Sequence, residues 1–294
     1  MFKFLKVIFG IIIFLIIIAI AFVVTLVVIN WNNKPKKKEM TTTNKISDLT
    51  SLTVNVDVKD AYVTVKKSST DYVNVKYYAC KTRTFDINEE VDTFGNSTLT
   101  IKGYQTGKWY NRIFFTLNTT KVYGVTIEVP DDVNVSVKTD NGNVRFEEVY
   151  LSYAFADVNN GAVLFKKSNA SVCSFSTVNG NVEVDSSNVA TFYSRSKKGR
   201  IVLENLVALM TIDAATDNGK IILSNSYATG NITLHSGKGT IKGTIRLLSD
   251  AYYKITTKAV NGKSNLENTT TGVAELNVTT DNGDIELKLN KVLG

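Results

Sequence analysis

Adjacent carboxylates, a histidine beside a nucleophile, or oxygen ligands on a tight turn would each give this 294-residue chain a chemistry, and each has candidates. Glu89-Glu90 and Glu147-Glu148 are the closest approach to a glycosidase pair, which needs two carboxyl groups ~5–9.5 Å apart. As sequence neighbours they read as solvated charge. The only histidine, His235, lies one residue from Leu234 in a strand-like stretch, so its ring is expected to point outward, where it leaves no triad base. One histidine and two cysteines, Cys80 and Cys173, do not make a zinc constellation. Asp281-Asn-Gly-Asp284 offers oxygen ligands on a turn, as calcium sites do. Calcium β-rolls, however, repeat about every nine residues with an Asp in each turn. Here the acid recurs only at Asp140, Asp217 and Asp281, which favours turn chemistry. The expectation is no metal, no cofactor and no enzymatic activity. Aromatic side chains are the remaining candidates: in Lys108-Trp-Tyr-Asn-Arg-Ile-Phe-Phe115, Trp109 and Tyr110 have the chemistry to stack on a sugar or anchor a protein partner. Filling a cap core is the alternative for them.

The elements that must position these residues repeat. Glycine recurs at Gly142, Gly161, Gly180, Gly199, Gly219, Gly239, Gly262 and Gly283, in steps of 19, 19, 19, 20, 20, 23 and 21 residues. Asparagine precedes it at Asn141, Asn160, Asn179, Asn218, Asn261 and Asn282, with Lys198 and Lys238 as exceptions. Two residues after each glycine stand Val144, Val163, Val182, Ile201, Ile221, Ile241, Ser264 and Ile285. A second apolar column follows two residues later, with polar residues between, which is the period of a strand with one buried face. Another strand precedes each glycine, and Cys173 falls in its inward column, as a buried thiol rather than half of a disulfide with Cys80.

An isolated Asn-Gly would suggest a hairpin, but a regular period near twenty makes each unit one coil of a β-solenoid and each Asn-Gly a corner. Glycine supplies a backbone conformation that a side chain resists, Asn tolerates left-handed geometry, and stacked Asn side chains can form a ladder. The fold expected is therefore all-β, a single-domain, parallel β-helix-like solenoid of ~20-residue coils. Residues 131–294 carry the regular repeats, and Gly243 and Ser264 break the inward columns. Residues 46–130 alternate less regularly and read as a β-rich cap with the first coils, because a solenoid end exposes an unpaired edge.

The stretch VTIEVPDDVNVSVKTDNGNV at 125–144, followed by repeated T-x-N-G-x-[VI] corners, resembles the bacterial putative-adhesin domain family. Those are β-solenoid domains of unknown function, often behind an N-terminal membrane helix. The resemblance covers Ile46 to about Leu293. It implies an extracytoplasmic, cell-surface domain and carries over no catalytic residue.

The N-terminus fits that picture. After a short basic tail, 1–6, Val7–Ile29 is a 23-residue run without charge, long enough to span a bilayer core ~30 Å thick. A cleaved signal peptide would have a shorter apolar region. Residues 30–45, with four lysines at 34 and 36–38, read as a polar basic linker. Those lysines, by the positive-inside rule alone, would keep the large domain in the cytoplasm; the family resemblance points outward. Residues 1–40 hold six lysines and one glutamate, so +5 of the net +7 lies there and the rest of the chain carries only +2. That excludes a nucleic-acid partner and suits anionic headgroups or wall polymers. The expected role is a membrane-anchored, cell-surface binding module for an envelope polymer, surface glycan or protein ligand. The alternatives are a scaffold that self-associates through an open last coil at 287–294, or a regulatory envelope-stress component.

Overall fold

The structure, a computed structural model, describes residues 2–32, 35–80, 83–105, 124–247 and 252–291. Helix α1 spans Phe2–Asn32, and its side chains are described at 9–25 and 28. All of these are exposed, Phe9 by 65% and Phe14 by 62%, so α1 does not pack its apolar surface against the β-structure. Among the described residues no helix is long and apolar enough to cross a membrane. The stretch 9–25 is itself shorter than the ~20 residues a bilayer core requires.

The end of the solenoid next to α1 is built from β1 (Lys36–Thr41), β2 (Ser51–Val58), β3 (Val63–Lys67), β4 (Asn74–Ala79), β5 (Arg83–Val91), β6 (Asn96–Gln105) and β7 (Val125–Val129). The regular coils begin with β8 (Val133–Asn141), β9 (Val144–Glu147), β10 (Tyr150–Asn160), β11 (Val163–Lys166) and β12 (Asn169–Asn179). Two long strands follow, β13 (Val182–Ser196) and β14 (Ile201–Thr216). The far end holds β15 (Ile221–Ala228), β16 (Ile232–Lys238), β17 (Ile241–Leu247), β18 (Tyr253–Asn261), β19 (Ala274–Asn282) and β20 (Ile285–Lys291).

Pairing arranges these as two walls. One runs β5, β6, β2, β8, β10, β12, β13, β14, β16, β19, β18; the other runs β1, β4, β7, β3, β9, β11, β13, β14, β15, β17, β20. Strands β13 and β14 bend through a corner and serve both. Among the described residues all strand pairings are parallel except β1–β4, β4–β7 and β5–β6 at the α1 end. Alternating burial places Val135, Ala154, Cys173, Phe192, Ile212 and Ile232 in one fully buried column. The core between the walls is filled by a run of tilted and edge-on rings, with Phe146–Phe165, Phe165–Phe175 and Phe175–Phe192 centroids 5.9, 5.5 and 5.9 Å apart. Burying such rings contributes ~1.5–3 kcal/mol each.

The Asn-Gly corner is held by three interactions. The residue three before the glycine donates its hydroxyl to a carbonyl of the neighbouring coil: Thr177 to Gly161 O (3.0 Å), Ser196 to Gly180 O (3.0 Å), Thr216 to Gly199 O (2.9 Å) and Ser236 to Gly219 O (2.8 Å). Asn amides form a ladder, Asn179 to Asn160 (2.8 Å), Asn160 to Asn141 (2.9 Å) and Asn141 to Asp60 (2.6 Å), which resumes as Asn261 to Asn282 (3.0 Å). Asn218 lies between Lys198 and Lys238 in the stack and holds its corner by its backbone N–H, donated to Lys197 O at 3.1 Å. Gly142, Gly161 and Gly283 have the positive φ expected of a corner glycine, at 151°, 156° and 159°, whereas the glycines between answer to space. At Gly180 and Gly199 no left-handed angle is required, yet a Cβ would stand 1.8 Å from the carbonyl oxygen of the glycine below. The expectation of a conformational requirement is corrected at these positions: the stacked backbones leave no room.

A second corner carries the left-handed residues. Glu148, Lys167, Ser186, Asn205 and Asn225 all have φ of 48–55° and none is glycine. Beside them a column of buried serines closes the turn: Ser168 and Ser187 donate to Lys166 O (2.7 Å) and Asp185 O (2.8 Å) and accept from Val149 N and Ser168 N (both 3.2 Å).

Both ends depart from chain order. The coil of β6 and β7 lies outside that of β2 and β3, which came earlier. At the far end β19 and β20 insert between the β16–β17 coil and β18, so Gly262 stacks on Gly283 and Gly283 on Gly239. The longer 23- and 21-residue steps carry this excursion. It puts β18 and Ser264, with their broken columns, at the terminal layer, where Ile255 and Ala259 stay only half-buried.

Two expectations are corrected here. Residues 36–41 are not linker but β1, antiparallel to β4. Nor is Leu287 on a bare edge: Asn265 Nδ2 donates to Leu287 O and Asn265 Oδ1 accepts from Leu287 N, both at 2.9 Å. The edge of β18 is blunted in the same way, Ile255 N donating to Thr269 Oγ1 (2.8 Å) and Thr257 N to Asn268 Oδ1 (2.6 Å). Side chains that occupy edge donors in this way oppose strand addition.

Candidate functional site

The sequence-level chemistry candidates resolve individually. Glu147 bonds Arg145 at 2.6 Å and lies 3.6 Å from Lys66, while Glu148 turns away at the second corner beside Lys167. Burial works to raise the Glu147 carboxyl, but Arg145 and Lys66 outweigh it and hold it below the usual carboxylate range. Glu89 accepts from Thr43 N (2.8 Å) and Asn44 Nδ2 (3.0 Å), which pins the lead into the domain, and Glu90 accepts from Asn88. His235 Nδ1 pairs with Thr279 Oγ1 across two coils at 2.9 Å. Asp284 accepts from Lys263 N at 2.8 Å as part of a corner, and among the described residues no group of acids, histidines and cysteines could hold a metal ion. Cys173 is buried as a thiol, raised well above its ordinary pKa by desolvation, in a different coil from Cys80. Trp109 and Tyr110 lie outside the described residues.

The structure instead assembles a surface that no sequence motif announces. Where each chain segment passes the second corner and enters β10, β12, β13 and β14, the side chains Tyr150, Asn169, Asn188 and Val207 stand in one column. With Ala170 and Leu209 they line a groove of about 470 Å³ across the coils. Strand periodicity spaces the column ~4.8 Å per coil. Asn188 Nδ2 donates to Asn169 Oδ1 at 3.0 Å, leaving one amide oxygen and one amide nitrogen of the pair for the groove. Tyr150 is 47% exposed, and Lys67 Nζ sits 4.8 Å from its ring centroid while bonding Asp131 at 2.7 Å.

A bulge makes the opposite lip. Val189 pairs with Ala208 but Thr191 pairs with Thr211, so β14 carries one residue more than β13 and pushes Leu209 and Met210 outward. They are 62% and 60% exposed. An apolar pair standing off the surface is informative where a lone exposed leucine is not. Along the same wall Tyr153 and Tyr193 are exposed, Tyr153 stacking on Phe155 at 6.4 Å. Arg195 closes the array through a two-pronged pair with Asp213, both contacts 2.8 Å. Such a strip presents ring faces, methyl groups and amides in register, which suits recognition of an extended ligand rather than bond-breaking. The step from 19 to 20 residues between Gly199 and Gly219 is the one sequence trace of the bulge.

Fold and surface together define a capped parallel β-solenoid with an aromatic–apolar groove across its coils. The chain belongs to the Toastrack DUF4097 family, whose model matches residues 50–293. A putative adhesin from Bacteroides fragilis NCTC 9343 is 16% identical and aligns over 86% of this chain and 99% of its own, with a TM-score of 0.51. A putative cell adhesion protein from Clostridium sporogenes ATCC 15579 is 13% identical over 87% of this chain and 100% of its own, with a TM-score of 0.32. No curated protein matches the sequence.

Proposed function

We propose that this protein is a non-enzymatic binding module of the cell surface, held by a single membrane-spanning α1 and presenting the β10–β14 groove to an envelope polymer, surface glycan or protein ligand. The groove carries the reading: Tyr150, the Asn169–Asn188 pair and Leu209 form a continuous contact strip, and the acids at 89–90 and 147–148 are each engaged in structural pairs. The uncharged run at 7–29, inside a helix of 31 residues, supports the anchor, since ~20 residues suffice to cross. The kinship with putative adhesins supports an outward-facing domain.

The test is an array of envelope polymers and surface glycans probed with the wild type and with Tyr150→Ser/Leu209→Ser, two exposed positions whose loss leaves the core intact. The expected result is binding that the double variant lowers at least tenfold with unchanged thermal unfolding. Equal binding by both proteins would refute the groove.

A further inference from the structure

A pocket of about 250 Å³ opens at the end of the solenoid next to α1, between β1, β4 and β5. Its floor is Tyr77 and Phe85, ring centroids 4.9 Å apart, with Cys80 and Thr84; its rim is Lys36 and Lys38. Alternation explains the rim: Met40 packs on the core, so Lys38 and Lys36 project on that same side of β1. The middle lysine, Lys37, faces the other way and pairs with Glu39 at 2.6 Å. Lys36 and Lys38 have no carboxylate within ion-pair distance among the described residues.

Chain length limits how far the pocket can stand from the end of α1. Only residues 33–35 separate Asn32, the last residue of α1, from Lys36. Four residue steps reach at most ~14 Å, and the polar zone on each side of a bilayer core is ~5–8 Å deep. An α1 that spans the membrane therefore keeps Lys36 within ~14 Å of the helix end, near enough for Lys36 and Lys38 to meet the headgroups and for Tyr77 and Phe85 to approach the depth where aromatic rings favour the interface. Two unpaired ammonium groups over an aromatic floor match an anionic phosphate headgroup with the start of its acyl region.

We infer that this pocket seats an anionic phospholipid headgroup of the bilayer that α1 enters, so that the solenoid docks on the membrane by its α1 end with the β18 end directed away. The inference rests on the anchor reading above and adds the lipid class and the contact.

The test uses the full chain in nanodiscs of phosphatidylcholine alone or mixed with phosphatidylglycerol, and follows hydrogen–deuterium exchange at 36–41. Two lysines at a negative surface slow exchange by up to about thirtyfold in the anionic discs. Lys36→Gln/Lys38→Gln is expected to abolish the difference, whereas Lys258→Gln, on β18 at the other end, retains it. Equal exchange in both discs, or an undiminished difference in the double variant, would overturn the inference. Slowing by inorganic phosphate in neutral discs to the same degree would overturn the lipid as the occupant. Failure of the chain to enter any disc is a separate result: it refutes the anchor, and the headgroup contact falls with it.

Discussion

Gly199→Ala tests the reason for the glycine column. The added Cβ would meet Gly180 O at 1.8 Å and Gly180 C at 2.5 Å, although no left-handed φ is needed at 199. Ordinary contact requires more than 3 Å, so the two coils must part by over an ångström at this corner. That displacement strains the Ser196 Oγ to Gly180 O bond (3.0 Å), the Lys198 N to Val178 O bond (2.8 Å) and the Val182 N to Arg200 O bond (3.0 Å). Overpacking costs ~1–3 kcal/mol, and a buried polar group left unsatisfied costs another ~1–3 kcal/mol. About 4 kcal/mol in total is expected, equivalent to a fall in Tm of roughly 8–16 °C for a domain of this size. Ser196→Ala, which removes only the hydroxyl bond, should cost about 1–2 kcal/mol. Thermal unfolding followed by far-ultraviolet circular dichroism compares the three proteins. A Gly199→Ala variant within about 1 °C of the wild type would show that close stacking is not why glycine recurs.

Asn160→Ala removes two ladder rungs, to Asn141 and to Asn179, and should lower stability by about 1 kcal/mol in a denaturant titration. Ser187→Ala at the second corner leaves Ser168 N and Asp185 O without their hydroxyl, and about 1–3 kcal/mol is expected to be lost although no sequence motif marks the site. Burial raises the Cys173 thiol and, with neighbouring tyrosines, the Tyr253 phenol, so both stay neutral in the fold while the unfolded chain ionises. Stability is therefore fully present below the unfolded thiol range near ~8.5 and declines as pH rises through it and through the phenol range near ~10. Melting between neutral pH and the alkaline range is expected to show that decline, and Cys173→Ala should remove its first part.

Some of this was legible because it is periodic. The alternation at Val144, Val163, Val182 and Ile201 and the spacing of the Asn-Gly pairs identify the solenoid and its corner, since every coil solves the same packing problem. The second corner was hidden because its left-handed residues are Glu148, Lys167, Ser186, Asn205 and Asn225, five positions of four residue types that share a backbone angle but no motif. Stacking order was hidden for another reason: sequence spacing gives the length of a coil, not which coil it lies on, so the insertion of β19 and β20 beneath β18 surfaced only in the pairing. The groove depends on one extra residue in β14 that turns Leu209 and Met210 outward, and a one-residue change of period says nothing of which side chains it exposes. Lys36–Lys38 looked like linker charge because a basic, polar stretch lacks an apolar face; its strand is recruited by the free edge of β4.

The proposed outward placement of the solenoid is tested most directly at Val273, which is 82% exposed at the β18 end. Val273→Cys in a Cys80→Ser background leaves Cys173 as the only other thiol, and that one is fully buried. Intact cells expressing this variant are treated with a membrane-impermeant maleimide, alongside cells first made permeable. The account predicts equal labelling in both. Labelling only after permeabilisation would place the solenoid on the inner side of the membrane and contradict a surface binding module.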